Sequence, residues 1–141
     1  MPCIGVQSFD WALDHDAWRS RVSTIQSAVD GAAKEVGVAA IDATFVRRFY
    51  ERVVPGVHRE FDGPAVLPLI APRPLLVING DRDDRTPLAG LEQCVAAARQ
   101  AYERAGAAKQ FEYRLQPDTK HAVTPESERY ATDWLVHQLS R

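Results

Sequence analysis

Three aspartates and one histidine lie where α/β proteins place the side chains that do chemistry. Asp81, Asp83 and Asp84 follow the apolar run 74–79, and His121 follows the next strand predicted along the chain. Ligands of open α/β sheets bind at the carboxyl ends of the strands, so all four residues fall on that edge. A carboxylate that holds one nitrogen of an imidazole lets the other nitrogen take a proton from a hydroxyl nucleophile. The pattern therefore indicates proton-transfer chemistry.

A simpler interpretation of the same residues stays open. Aspartates in a surface loop often do no more than complete the turn and cap the next helix. A lone histidine is more often a surface or core residue than a catalyst, and His15, His58 and His137 lie in weaker contexts than His121. An acid and a histidine that follow consecutive strands favour function, because neighbouring strands bring their loops together.

The elements that position these residues form the second half of the chain. The apolar run 74–79 predicts a strand covered on both faces, and the alternation over 111–115 predicts another. Helices over 87–105 and from residue 124 follow the two strands, which predicts the α/β class with parallel pairing. The expected caps and first-turn residues are Thr86, Pro87, Thr124 and Pro125. The expected buried residues are Leu91, Val95, Ala98, Tyr102 and Ala105 in the first helix and Tyr130, Trp134, Leu135 and Leu139 in the second.

The first half of the chain predicts helices and almost no strand. Apolar residues at alternating steps of four and three predict a helix over 16–36, and Asp42 caps a second helix over 42–53. The prolines of 57–73 argue against a helix or a central strand, so we expect a connector there. The run 2–6 suits the end of a buried strand. The residues expected to face the core are Trp18, Val22, Ile25, Val29, Ala32, Val36, Phe45, Val46, Phe49 and Val53.

The sheet predicted in this way is incomplete. A parallel sheet is covered on both faces, and independent stability usually takes three or more strands. The chain supplies two strands and the end of a third. We divide it into 1–65, a strand end with a helical, lid-like region, and 66–141, a strand–helix–strand–helix unit.

The segment 72–83, Pro-Arg-Pro-Leu-Leu-Val-Ile-Asn-Gly-Asp-Arg-Asp, is followed by His121 and by a closing helix that contains Trp134 and Leu135. These features resemble the end of an α/β-hydrolase, most closely the acetyl-xylan-esterase-like and dienelactone-hydrolase-like bacterial ester hydrolases. The resemblance is specific over about 66–141. It implies an incomplete α/β-hydrolase fold, in which the last strands and helices of the parallel sheet follow a helical insertion.

The resemblance also implies the site residues. In that family the acid lies three residues after the strand-terminal glycine, here Gly80, which selects Asp83 over Asp81 and Asp84. His121 takes the place of the catalytic histidine, and its position after the acid agrees with the family order of serine, acid and histidine. The implied activity is serine-type hydrolysis of a small-molecule carboxylic ester, which requires no cofactor and no metal ion.

The chain departs from the family in its nucleophile. No serine lies in a G-x-S-x-G segment, the turn that exposes the nucleophile between a strand and a helix. Ser8 follows an apolar run but lacks the second glycine. Cys3 lies at the terminus and Cys94 inside a helix, so we expect neither to replace the serine. The chain is therefore expected to be a C-terminal esterase fragment that carries Asp83 and His121 and is inactive alone.

Two other hypotheses stay open. The chain is a non-catalytic binding or assembly module that completes its sheet with another chain, including a homo-oligomer formed through an exposed sheet edge. Alternatively, Asp83 and His121 activate a water molecule directly. The sequence does not indicate the substrate, because the family builds its substrate pockets largely from other segments. The aromatic residues available for a lid are Trp11, Trp18, Phe49 and Tyr50, although their helical spacing favours core packing for most of them.

The bulk composition argues against several classes of protein. A net charge of −2, with both signs interspersed, provides no basic field for nucleic acid or an anionic membrane. The two cysteines, Cys3 and Cys94, lack the spacing of a zinc site or a disulfide framework. The sequence contains no apolar run of about 20 residues and no signal-peptide pattern at its start, which predicts a cytoplasmic protein.

Overall fold

The computed structural model describes residues 1–140 as helices packed around a two-stranded parallel sheet. The mixture of helices and parallel strands agrees with the predicted α/β class at this coarse level. The helices are α1 Phe9–Asp14, α2 Arg19–Val22, α3 Gln26–Glu35, α4 Ala43–Val53, α5 Gly63–Val66, α6 Leu88–Arg104 and α7 Pro125–Leu139. The strands are β1 Leu75–Gly80 and β2 Phe111–Gln116, and short 3-10 helices cover Ser23–Ile25, Leu67–Ile70 and Ala108–Gln110.

The sheet pairs β1 with β2 in parallel, and α6 makes the crossover between them. The register runs from Leu75 opposite Phe111 to Gly80 opposite Gln116, so the two strands end at the same level. This confirms the predicted parallel pairing. On the other edge of β1, Cys3 forms a single parallel bridge with Ile78, where the expected strand end lies.

The strand β1 is buried on both faces because α6 covers one and α7 covers the other. Leu75 and Val77 pack with Leu91, Val95, Ala98 and Tyr102 of α6. Leu76 and Ile78 pack with Tyr130, Ala131 and Trp134 of α7. The continuous apolar run thus has the two-sided burial that its sequence predicted. Ala105 is exposed, because α6 ends at Arg104 and Gly106 then turns the chain with a φ of 64°.

The expected single helix over 16–36 is wrong, because the chain forms α2, a 3-10 turn and α3 instead. The Ser23 hydroxyl donates to the Ser20 carbonyl, and the Thr24 hydroxyl donates to the Arg21 carbonyl. Such local bonds between side chain and backbone compete with regular helix. Helix α1 was not expected at all. Residues Trp18, Val22 and Val29 are nevertheless buried in one cluster with Phe45 and Val46 of α4.

Two residues expected in this helical core lie at the surface instead. Val36 is exposed because it is the C-cap of α3, and Val53 is exposed in the last turn of α4. Ala33, which the spacing did not select, is buried. Asp42 caps α4 as predicted, since its carboxylate accepts a hydrogen bond from the Phe45 amide.

The expected connector over 57–73 is also wrong, because it contains α5 and the 3-10 helix Leu67–Ile70. Pro64 and Pro68 each lie in the first turn of their helix, where the missing amide hydrogen costs nothing. Asp62 caps α5 by accepting a hydrogen bond from the Gly63 amide. The prolines therefore start these short helices and do not prevent them.

A buried carboxylate joins the start of the chain to α5. Asp62 accepts hydrogen bonds from the Ser8 hydroxyl and from the amides of Phe9 and Asp10. A Cβ atom on Gly63 would lie 2.2 Å from the Gln7 carbonyl oxygen, so the two segments touch through backbone. These contacts hold α1 against α5, which belongs to the segment that leads into β1.

Helix α7 begins at Pro125 with Thr124 as its cap, as predicted. Its expected buried face is only partly correct. Tyr130 and Trp134 are partly buried against the sheet, whereas Leu135 and Leu139 are exposed, the latter to 84%. Ala131, which was not among the expected residues, is buried. The described sheet has two strands and one bridge, which is too narrow to cover the outer turns of this helix.

Candidate functional site

The carboxylate of Asp83 and the imidazole of His121 form a hydrogen-bonded pair beyond the ends of β1 and β2. Asp83 Oδ2 lies 2.8 Å from His121 Nδ1. The Asp83 side chain is fully buried, whereas 22% of the His121 side chain is exposed. An ionised carboxylate accepts hydrogen bonds only, so Nδ1 carries a proton in this contact. In the neutral ring Nε2 is then the atom that can accept a proton.

Asp83 is held by the loop that contains it. Its Oδ1 accepts hydrogen bonds from the amides of Arg85 and Thr86, and its Oδ2 lies 2.7 Å from the Thr86 hydroxyl. Burial raises the pKa of Asp83, but the hydrogen bonds from Thr86, His121 and the Arg85 amide outweigh it, so the pKa lies below its ordinary value. The carboxylate is therefore anionic and oriented at neutral pH.

The Thr86 hydroxyl also lies 3.0 Å from Oδ1 of Asn79, at the end of β1. The predicted role of Thr86 as helix cap is wrong, since α6 begins one residue later, after Pro87, and the hydroxyl serves the acid. Asn79 and Thr86 are both fully buried. Sequence reasoning missed Asn79, although it is the one amide side chain in an otherwise apolar strand, a signal that could have indicated a polar site at the strand end.

The part of the histidine loop that precedes His121 is hydrogen-bonded to the Asp83 loop. Asp81 Oδ1 accepts a hydrogen bond from the Thr119 amide, and the Arg82 amide donates to the Thr119 carbonyl. The Thr119 hydrogen bond lowers the pKa of Asp81. Arg82 and Asp118 form an exposed ion pair across the same two loops at 2.6 Å. Asp81 thus fixes the histidine loop and does not contact the imidazole.

Gln116 holds the part of the histidine loop that follows His121. Its Nε2 donates to the Ala122 carbonyl at 2.8 Å, and its Oε1 accepts from the Thr124 amide at 2.7 Å. The Ala122 amide donates to the Lys120 carbonyl, which closes a tight turn around His121. Gln116 is buried, and both of its polar atoms are satisfied. Sequence reasoning missed this residue, since a glutamine at a strand end carries no distinctive signal.

The remaining acids and basic residues of the Asp83 loop do not contact His121. Asp84 is exposed and forms no hydrogen bond or ion pair within residues 1–140. The Arg85 amide donates to Asp83, while its guanidinium forms no ion pair in that range. Among the three aspartates of this loop, Asp83 is the one that bonds the imidazole.

The structure gives Ser8 a capping role. Its hydroxyl donates to Asp62 Oδ2 at 2.9 Å and accepts a hydrogen bond from the Trp11 amide, which starts α1. Cys94 is buried inside α6, and burial raises the pKa of its thiol to about 12, so the thiol stays protonated at neutral pH. No hydroxyl or thiol of residues 1–140 forms a hydrogen bond with His121.

A second histidine and aspartate lie together in the helical half, which the sequence did not indicate. His58 Nδ1 is 2.6 Å from Asp10 Oδ1, and His58 Nε2 is 3.2 Å from the Arg47 carbonyl oxygen. The Arg47 guanidinium also pairs with Asp10 and with Asp14. These contacts connect α1 to α4 and to the segment before α5. His15 stacks on Trp11 and accordingly belongs to the surface of α1.

Comparison with known proteins identifies no relative. No protein-family model matches the chain, and no curated protein or solved structure resembles it closely enough to count as a match. Within residues 1–140, no helix is long and apolar enough to cross a membrane. In the same range, no three His, Cys, Asp or Glu side chains converge as metal ligands would.

Proposed function

We propose that Asp83 and His121 are the acid and the general base of a serine-type carboxylic ester hydrolase with an incomplete α/β-hydrolase fold. The observation that supports this is the 2.8 Å contact between a fully buried carboxylate and a partly exposed imidazole at the ends of adjacent parallel strands. Buried carboxylates stabilise the imidazolium that forms when a histidine accepts a proton. The activity would act on a small-molecule ester without a cofactor.

In the proposed reaction, His121 Nε2 takes the proton of a serine hydroxyl while the serine oxygen attacks the ester carbonyl carbon. His121 then gives that proton to the departing alkoxide, and an acyl-serine remains. Water repeats the attack with the same base, which releases the acid and restores the serine. Asp83 holds Nδ1 throughout, and Asp81 and Gln116 position the loop.

The nucleophile of this reaction would lie outside these 141 residues, because none of their serines stands in a G-x-S-x-G segment and Ser8 is bonded to Asp62. We therefore expect the chain alone to leave p-nitrophenyl acetate unhydrolysed and to remain unlabelled by a fluorophosphonate, as read by intact mass. Turnover that His121→Ala abolishes, without a labelled serine, would favour direct activation of water. Labelling of Ser8 would contradict the assignment of the nucleophile.

A second candidate function is a non-catalytic assembly module, in which another chain completes the sheet. The exposed apolar side chains of α7, Leu135, Val136 and Leu139, favour it, since the described sheet leaves them uncovered. This function predicts a dimer or larger assembly by light scattering at micromolar concentration. A monomer that is unchanged over a hundredfold dilution range would contradict it.

A further inference from the structure

An apolar groove with a cationic wall lies between α3 and α4, in the helical half of the chain. It encloses about 360 Å³ and is lined by apolar residues of both helices and of the turn between them, among them Val36, Val38, Phe45 and Phe49. Clefts of roughly 300–1,000 Å³ with mostly apolar walls and few polar groups are typical of small-molecule sites. Neither Asp83 nor His121 lines this groove, so it is separate from the proposed hydrolase site.

The polar part of the groove is mainly two arginines. Arg48 and Arg52 lie four residues apart on α4, which places both guanidinium groups on one face of the helix. Arg47 of the same helix pairs with two aspartates, whereas neither Arg48 nor Arg52 has an ion-pair partner within residues 1–140. Like charges at this spacing repel each other and destabilise a helix. An anion between them would remove that repulsion.

The groove also contains one carboxylate, but it does not neutralise the pair. Glu35 lines the opposite wall and forms no ion pair with either arginine. Two positive charges against one negative charge leave the groove cationic. A ligand that matches it has an apolar body for the walls and a single negative charge for the arginines, since guanidinium groups bind carboxylates through paired hydrogen bonds.

We infer that this groove binds an amphipathic carboxylate, an unbranched alkyl chain ending in one carboxylate group. The alkyl chain lies against Val38, Phe45 and Phe49, and the carboxylate bridges Arg48 and Arg52. Binding here does not depend on Asp83 or His121. Its success or failure is therefore independent of the proposed hydrolysis.

The test is a titration of the chain with decanoate below its micelle concentration, followed by amide chemical shifts. We expect saturable shifts confined to α3, α4 and the turn between them. Decanol, which lacks the charge, and acetate, which lacks the chain, should each bind more weakly by about tenfold or more. Equal binding of decanol, or decanoate shifts that do not saturate or that lie elsewhere, would overturn the inference.

Substitutions distinguish the contribution of the two arginines to binding from the effect of general surface charge. Arg48→Gln/Arg52→Gln should weaken decanoate binding by about tenfold or more, while Arg104→Gln, an exposed arginine at the end of α6, should leave it unchanged. Because Val36 is 66% exposed at the groove, we expect the fold to tolerate both Val36→Glu and Val36→Gln. The glutamate should weaken binding through its negative charge, and the glutamine should not. Equal affinity of the double arginine variant and the unmodified chain would overturn the inference.

Discussion

A Cβ atom placed on Gly80 would lie 2.1 Å from the carbonyl oxygen of Thr119 and 2.5 Å from that of Lys120. The last residue of β1 therefore touches the backbone of the loop that carries His121. A side chain at this position would push the loop away from the sheet. Because Gly80 has no side chain, the loop can approach closely enough for His121 to reach the carboxylate of Asp83.

Gly80→Ala should consequently destabilise the protein and separate Asp83 from His121. Overpacking against backbone that cannot move freely costs about 1–3 kcal/mol, which urea unfolding would measure. The matched control is Gly31→Ala in the middle of α3, where a Cβ atom meets nothing within 4 Å. That control should stabilise the helix by roughly 0.5–1 kcal/mol. Equal stability of Gly80→Ala and the unmodified protein would contradict the close approach.

Asp83→Asn should lower the free energy of unfolding at neutral pH by about 1–3 kcal/mol, because the buried acceptor of four hydrogen bonds loses its charge. The folded pKa of Asp83 lies below the unfolded value. Its contribution is thus fully present above the unfolded pKa and is lost as the pH falls through the folded pKa. With His121→Gln in both proteins, so that no imidazole beside Asp83 changes charge, urea titrations should show a constant difference from pH 7 to about pH 5.

The same difference should shrink below about pH 4, as the Asp83 carboxylate takes up a proton in both states. Because the His121→Gln background has no imidazole charge beside Asp83, this difference isolates the carboxylate. A difference that grows on acidification would contradict the lowered pKa.

Gln116→Leu should loosen the histidine loop. The substitution leaves the Ala122 carbonyl and the Thr124 amide without their partner. Because both hydrogen bonds are partly buried, we expect a total cost of about 1–3 kcal/mol. Hydrogen exchange should quicken at the amides of 119–124 while α6 stays protected. Leu115→Gln on the preceding, exposed position should change stability by less than about 0.5 kcal/mol. Unaltered exchange in the loop of Gln116→Leu would show that other contacts position His121.

The two thiols should react at very different rates in the native protein. Cys94 is fully buried and its pKa is raised to about 12, whereas Cys3 is partly exposed. Iodoacetamide followed by mass spectrometry should therefore modify Cys3 first and Cys94 only as the protein unfolds. Rapid alkylation of Cys94 at neutral pH would reopen it as a nucleophile.

Sequence reasoning located the pair because its two residues follow strands with clear patterns. The apolar run of β1 and the alternation of β2 placed three aspartates and His121 at one edge, and the resemblance to α/β-hydrolases selected Asp83 among them. Parallel pairing brings Asp83 and His121 together. The residues that hold the two loops in place could not be predicted in the same way. The contacts of Asp81 and Gln116 depend on how two loops meet, which periodicity does not encode.

The errors in the helical half have local causes. The prolines of 57–73 predict a connector without helix, yet Pro64 and Pro68 occupy first turns, where proline is favoured. The apolar spacing over 16–36 continues through Ser23 and Thr24, although their hydroxyls bond to nearby carbonyls and tighten the turn. Spacing therefore identified the buried face but not where the helix breaks.

We propose that Asp83 and His121 serve as acid and base for a serine outside these residues. This role is tested most directly by expressing the reading frame extended in frame upstream of Met1 and measuring kcat for p-nitrophenyl acetate. We predict a G-x-S-x-G segment upstream, and a loss of about 10³-fold or more in kcat with either His121→Ala or Asp83→Asn. An extended frame without that segment, or one whose kcat is unchanged by His121→Ala, would show that Asp83 and His121 do not serve such a serine.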